Sequence, residues 1–229
     1  MIRFAVLISG RGSNMTYLAD AIKNYSIAAK ITVVISNRCC TGLTLARDRG
    51  LPTKVIERKN FDTQAKHEAA IAATIHYHRS KYVFLAGYMA ILGCDFVNQF
   101  AGQIINIHPS LLPAFKGLNT HQRAIDENAA THGVSVHVVT AALDEGPMIA
   151  QASLPLMASD TANSLAARVL QLEHQIYPFV LFGLAKKLLS LSPEGARWHA
   201  PSSALADAPA PMQKLLAQCL ILPAPTQKE

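Results

Sequence analysis

Two polar residues within a short apolar stretch, Asn106 and His108, stand out as groups able to do chemistry. The run Ile104-Ile105-Asn106-Ile107-His108 alternates, so a strand there presents Asn106 and His108 on one face and Ile105 and Ile107 on the other. At the carboxyl end of a strand in an open α/β sheet, both would face ligand. An asparagine amide suits a developing oxyanion, and a histidine near its ordinary pKa serves as general acid or base. Either residue alone is well explained as a satisfied polar strand end; the pair in this setting favours chemistry. Pro109 and Pro113 stiffen the loop that follows, which leads to Phe115-Lys116-Gly117. Farther along, Asp144 lies beside the flexible Gly146. A carboxylate there could reach His108, favour its cationic form and hold its ring, although Asp is also a common turn residue.

A second candidate is Ser9-Gly10-Arg11-Gly12-Ser13-Asn14, between the first apolar run and the first helical pattern. Glycines let backbone N–H groups turn inward there, and a helix N-terminus adds positive potential, a setting that holds phosphate. The run has neither the spacing of a dinucleotide fingerprint nor the lysine of a Walker loop, and an ordinary turn capped by Asn14 explains it equally well. The other histidines point to no metal. His76 and His78 do not share a helix face, and His121, His132, His174 and His199 lack ligand spacing. His137 shares a strand face with Ser135, either lining a polar cavity or simply buried and hydrogen-bonded.

These groups need a scaffold, and periodicity supplies one. Strand patterns at residues 4–9, 31–36, 53–57, 82–86 and 104–108 alternate with helical patterns at 15–24, 43–49, 62–79 and 94–100. Continuous apolar strands at this spacing predict an α/β fold, a Rossmann-like, mostly parallel twisted sheet with helices on both faces. Residues 133–139 and 148–155 read as strands flanking Leu143-Asp144-Glu145-Gly146-Pro147, and a long helix runs from about 159 to about 189. The stretch beyond is rich in Pro, Ala and Ser. It is expected to be a peripheral, partly mobile appendage, giving one domain over 1–190 and a tail over 191–229.

Half of the 229 residues are hydrophobic and only 16% are charged, which supplies a core and argues against bulk disorder. No apolar run reaches the roughly 18 residues of a membrane span, and the apolar N-terminus breaks at Gly10, as a buried strand rather than a signal peptide would. The four cysteines lack paired spacing and read as reduced thiols of a cytoplasmic protein. A net charge of +6 suits anionic ligands, but no basic run or aromatic–basic interleaving marks a nucleic-acid surface.

The run Asn106-Ile107-His108-Pro109-Ser110-Leu111-Leu112-Pro113, followed by Gly117, Thr120-His121, Gly133, Ser135-Val136-His137, Asp144 and Gly146, strongly resembles the folate-dependent formyltransferases. The resemblance spans roughly residues 2–190. Ile8-Ser9-Gly10-Arg11-Gly12-Ser13-Asn14, Ser36-Asn37, Leu85-Ala86-Gly87 and Glu173-His174-Gln175-Ile176-Tyr177-Pro178 are similar to the branch that acts in purine synthesis. The resemblance implies transfer of a formyl group from 10-formyltetrahydrofolate, as co-substrate, to the amine of glycinamide ribonucleotide, with no metal. It implies that Asn106, His108 and Asp144 surround the reacting carbon. Gly12, Ser13 and Asn14 would then hold phosphate, with Glu173 near the ribose hydroxyls. Met89, Ala90, Ile91 and Leu92, with Asn106 and the loop before Asp144, would receive the folate. The implied partners are a small phosphorylated amine and a folate, with no nucleic acid and no membrane, in a cytoplasmic monomer or homodimer.

Other readings fit less well. A tRNA-directed formyltransferase of the same family normally adds a basic C-terminal domain, for which a tail of about 40 residues is too short. The related deformylase normally begins with an extra regulatory domain. A non-catalytic binder on the same fold has no need of Asn106, His108 and Asp144 together, and a dinucleotide-dependent dehydrogenase would need the missing glycine fingerprint. The chain departs from the family at Gln64 and Ala90, where arginine is usual, and at Leu170, where a polar or basic side chain is usual. With two guanidinium groups fewer to pair with acidic ligand groups, KM for at least one substrate is expected to be raised with the chemistry retained. Steady-state KM values in the family's ordinary range would overturn that expectation.

Overall fold

The computed structural model describes residues 1–223. In chain order the elements are β1 (Ile2–Ile8), α1 (Ser13–Asn24), β2 (Ala29–Ser36), α2 (Thr41–Asp48), β3 (Thr53–Val55), α3 (Gln64–Tyr77), β4 (Tyr82–Leu85), α4 (Cys94–Gln99) and β5 (Ile104–His108). There follow α5 (Thr120–Asp126), β6 (Thr131–Val138), β7 (Met148–Pro155), α6 (Ala162–Ala185), β8 (Leu189–Ser192), β9 (Gly195–Trp198), α7 (Pro201–Ala204), α8 (Ala210–Leu216) and β10 (Leu220–Ile221). Eight strands form one sheet in the order β10-β7-β6-β5-β4-β1-β2-β3, while β8 and β9 pair separately. From β3 to β5 the strands are parallel, and β6, β7 and β10 extend the sheet in antiparallel fashion. The mostly parallel α/β sheet predicted from periodicity is thus present. Its order reverses between β1 and β4, so the loops leaving the carboxyl ends of these neighbours diverge and open a crevice.

The pleat decides what faces that crevice. Phe4, Val6 and Ile8 of β1 pack in one core with α1, α2 and α6, whereas Ala5 and Leu7 pack in a second core with α3 and α4. In β5 and β6 the first core continues through Ile105, Ile107, Val134, Val136 and Val138. The alternate positions are Asn106, His108, Ser135 and His137, so beyond β4 the second face turns polar. Helix α6 binds the sheet from the apolar side, and the buried Tyr177 hydroxyl lies 3.0 Å from the carbonyl oxygens of both Leu85 and Ile105, tying β4 to β5.

Two expectations are corrected, and some elements were missed. Helix α6 ends at Ala185 rather than near 189, because Lys187 is left-handed (φ 60°) and the Lys187 and Leu188 N–H groups donate back to the carbonyls of Leu184 and Gly183. That closing pattern usually announces itself by a glycine, and here a lysine occupies the position. Helix α5 and the elements after α6 were not legible as periodic segments. The tail, expected to be peripheral, packs into the protein as far as it is described; residues 224–229 of it lie outside the described residues. Trp198 is 5% exposed, stacks on Phe179 at 5.1 Å between ring centroids and donates its Nε1–H to the Ile149 carbonyl at 2.8 Å. Ala204, Ala208, Met212 and Leu216 join the first core, and β10 pairs with the edge of β7. The cause lies in α6, whose residues from Ile176 to Leu184 are buried all round and need cover on the side away from the sheet.

Replacing Trp198 by alanine is therefore expected to cost about 3–5 kcal/mol of stability, as for a buried aromatic in a core. Urea denaturation measures it, and a loss below about 0.5 kcal/mol, the surface range, would return the tail to the periphery.

Candidate active site

The antiparallel register sets Asn106 opposite His137 and His108 opposite Ser135. Asn106 Nδ2 donates to His137 Nε2 at 3.1 Å, and His137 Nδ1–H donates to the Val138 carbonyl at 3.0 Å. The carbonyl can only accept, so it fixes the proton on Nδ1 and the lone pair on Nε2. Burial holds His137 below the ordinary imidazole value, with the Val138 carbonyl and Asp144 opposing. Asp144 Oδ1 lies 3.7 Å from the same Nε2, whose lone pair accepts from Asn106. Asn106 keeps its second N–H for another acceptor.

His108 is oriented on both sides. Its Nε2 donates to the Phe115 carbonyl at 3.0 Å, and its Nδ1 faces Asp144 Oδ2 at 3.5 Å. A proton on Nδ1 would complete an imidazolium between a carbonyl and a carboxylate. Asp144 is nearly buried, has a left-handed backbone (φ 53°) and accepts the Gly117 N–H at 2.9 Å. Gly146 serves close packing rather than flexibility, since a Cβ there would stand 1.7 Å from the Val138 oxygen. The three residues singled out as a reactive group are thus together, joined by His137.

The loop over His108 is held by its own contacts. Ser135 Oγ donates to the Ser110 carbonyl at 2.7 Å and accepts from the Leu112 N–H at 3.0 Å and Gln151 Nε2 at 2.8 Å. The Phe115 ring lies edge-on to His132 at 5.8 Å and under the Arg123 guanidinium at 5.5 Å. His132 in turn meets His121 at 3.1 Å and is pushed down to about 4 by burial. Histidines that showed no ligand spacing therefore act as packing beneath the loop.

At the carboxyl end of β1, Gly12 caps α1 in the left-handed conformation (φ 74°), and a Cβ there would come within 2.8 Å of Gly42 Cα. The first-turn N–H groups that follow have no intrahelical acceptor and carry the positive end of the helix dipole. Asn14 is not the cap. Its Nδ2 donates to Glu173 Oε2 of the neighbouring helix α6 at 2.6 Å. Burial pushes the Glu173 carboxyl up to about 7, with Asn14 and Arg11 opposing.

The loop after β4 runs between this helix end and Asn106, because Leu85 pairs with Asn106 on one side and Leu7 on the other. Met89 and Ile91 point outward, 63% and 70% exposed, while Ala90 and Leu92 pack against the second core. Leu118 and Leu143, on the loops flanking Asp144, are also exposed. Such a rim offers apolar surface and backbone polar groups to a flat ring. Leu170 is half-buried on α6. Gln64, noted only as a departure, reaches this loop and donates to the Ile91 carbonyl at 3.0 Å. The role of His137 and of the Phe115 carbonyl was missed; pairing β5 with β6 in antiparallel register is the signal that would have found His137. Among the described residues no group of three or more His, Cys, Asp or Glu side chains could hold a metal, and no helix is long and apolar enough to cross a membrane.

Comparison with known proteins identifies the family and the fold. Residues 2–181 match the family described as formyl transferase. The chain is 40% identical over 198 residues to phosphoribosylglycinamide formyltransferase of Escherichia coli (strain K12), covering 86% of this chain and 93% of that one. It is 40% identical over 194 residues to the trifunctional purine biosynthetic protein adenosine-3 of Bos taurus, covering 84% of this chain and 19% of that one. The crystal structure of glycinamide ribonucleotide transformylase 1 from Symbiobacterium toebii superposes with a TM-score of 0.82 at 37% identity, covering 86% of this chain and 94% of that one.

Glu173 supplies a test of the crevice electrostatics. Its folded value of about 7 lies above the ordinary 4.5, so folding favours the protonated form, and its contribution to stability is present below pH 4.5 and lost as pH rises through 7. Relative to wild type, Glu173→Gln should gain stability progressively between these limits and change no further above them. Urea midpoints measured across this range decide it, and parallel curves would mean the carboxyl is not perturbed.

Proposed function

We propose that this chain, which belongs to the formyl transferase family, transfers the formyl group of 10-formyltetrahydrofolate to the amine of glycinamide ribonucleotide in purine synthesis. The observation that carries the reading is the cluster of Asn106 and Asp144 around the buried His108 and His137, beside the crevice that α1 faces with its N-terminus. The first-turn N–H groups of Ser13 and Asn14, after the turn at Gly12, suit the substrate phosphate. Glu173, held beside Asn14, suits the ribose hydroxyls. The rim at Met89, Ala90, Ile91 and Leu92, with Leu143 opposite, suits the folate ring. Four unpaired cysteines suit a reducing cytoplasm.

Addition of the neutral amine to the formyl carbon forms the new C–N bond and moves the carbonyl pair onto oxygen. The free N–H of Asn106 and an N–H of His108 stabilise that oxyanion, in a buried site where such donors count for more than in water. His137 occupies the other N–H of Asn106 and so sets the amide plane. The Phe115 carbonyl on His108 Nε2 stands in for the formyl oxygen, chemically the same kind of acceptor, and gives way to it as substrate enters. The amine nitrogen, now positive, loses a proton, and the folate nitrogen gains one as its bond to the formyl carbon breaks. His108 and Asp144 relay this proton, directly or through water, and finish in the state in which they began. The oxyanion pair returns to the carbonyl, leaving the formylated amine.

A formyl-transfer assay with both substrates tests the reading. Wild type should turn over, and His108→Ala should lose about a hundred- to ten-thousandfold in kcat, with phosphate-substrate binding retained by calorimetry. A folded wild type that transfers nothing at saturating substrates would sink it.

A further inference from the structure

Helix α3 starts after Thr63, whose side chain accepts the Lys66 N–H, and this start places Gln64 and Glu68 one turn apart on one helix face. Gln64 Nε2 donates to Glu68 Oε1 at 2.7 Å and to the Ile91 carbonyl at 3.0 Å. The same Glu68 Oε1 accepts the Gly93 N–H at 2.8 Å. The amide orientation is forced, because turning it over would set its oxygen against two acceptors. The pair therefore holds the backbone on both sides of Leu92, by the carbonyl before it and the N–H after it. The other end of the segment is held by Ser9, whose Oγ accepts the Met89 N–H at 2.9 Å.

At the Gln64 end, Leu92 packs against the second core, and the Gly93 carbonyl accepts the Val97 N–H of α4 at 3.0 Å. A cavity of about 380 Å³ opens there, lined by Gln64, Glu68, Gly93, Phe96 and Gln99 among others. Gly93 is needed for the contact, since a Cβ on it would stand 2.8 Å from Glu68 Oε2. Ile91 turns its side chain to solvent and contributes no packing. The hydrogen bonds therefore fix the Ile91 carbonyl and the Gly93 N–H, the polar groups on either side of the packed Leu92.

We propose that Gln64 and Glu68 are positioning residues of the formyl-donor site. They act through the 91–93 backbone and do not touch the donor. A position where the family usually presents an arginine has become an internal strut. This rests on the reading that residues 89–92 receive the folate ring.

The test is steady-state kinetics on Gln64→Leu, which keeps the volume and removes both donors, beside Glu68→Leu, which removes the carboxylate that Gln64 and Gly93 share. Gln64→Leu should raise the donor KM roughly five- to tenfold, the scale of one or two lost hydrogen bonds. Its kcat and its KM for the phosphorylated amine should stay within about twofold. Glu68→Leu, at a buried side chain, should raise the donor KM similarly, and so should Gly93→Ala, by displacing Glu68. A donor KM unchanged in Gln64→Leu, or one that moves together with the amine KM and kcat, would overturn the proposal. A wild type without formyl transfer would overturn the functional reading instead, so the two failures are distinct.

Discussion

Polar side chains buried on one face of a sheet must satisfy one another, or the strands that carry them cannot pair at that face. The cross-strand contact of Asn106 with His137 is the clearest case here. It requires β6 to run antiparallel to β5 in one register, because a slip by one residue would turn Val136 or Val138 toward the crevice and bury His137 in the apolar core. The same register brings Ser135 under the loop that covers His108. The switch from parallel to antiparallel pairing after β5 is thus what converts a double-sided apolar sheet into one with a reactive polar face.

The crevice is balanced by a second polar contact, between Asn14 on α1 and Glu173 on α6. It joins the two helices that pack on the same side of the sheet, next to the helix end suited to phosphate. A carboxyl raised to about 7 can change charge within the physiological range, so the helix end faces a neighbour whose repulsion of an anion is partly relieved by protonation. One turn farther along α6, Tyr177 anchors the ends of β4 and β5. A single helix therefore aligns the start of α1, the loop after β4 and the strand that carries Asn106 and His108.

Much of this was legible in the sequence, and the reasons for the rest are physical. The parallel strands announce themselves by continuous apolar runs, and Asn106 with His108 by a period of two. His137 could be placed on a polar face but not against Asn106, since cross-strand register is a property of two strands together. The end of α6 was misplaced because a lysine holds the left-handed position. The tail was misjudged because composition describes what a segment resembles, whereas Trp198 is buried by what α6 leaves uncovered. Gln64 was noticed as a missing charge, and its bond to the Ile91 carbonyl depends on a loop path no pattern encodes.

The Phe115 carbonyl on His108 has a thermodynamic consequence for anything that binds there. A tethered acceptor is present at an effective concentration no free molecule matches, so a ligand offering its own carbonyl competes with a partner that never diffuses away. The affinity observed is then the intrinsic affinity scaled by the fraction of molecules whose loop has let go. Two compounds with equal contacts can rank differently if only one also draws on the energy that holds Phe115 between His132 and Arg123. Affinity at this site is a measure of the loop as much as of the ligand.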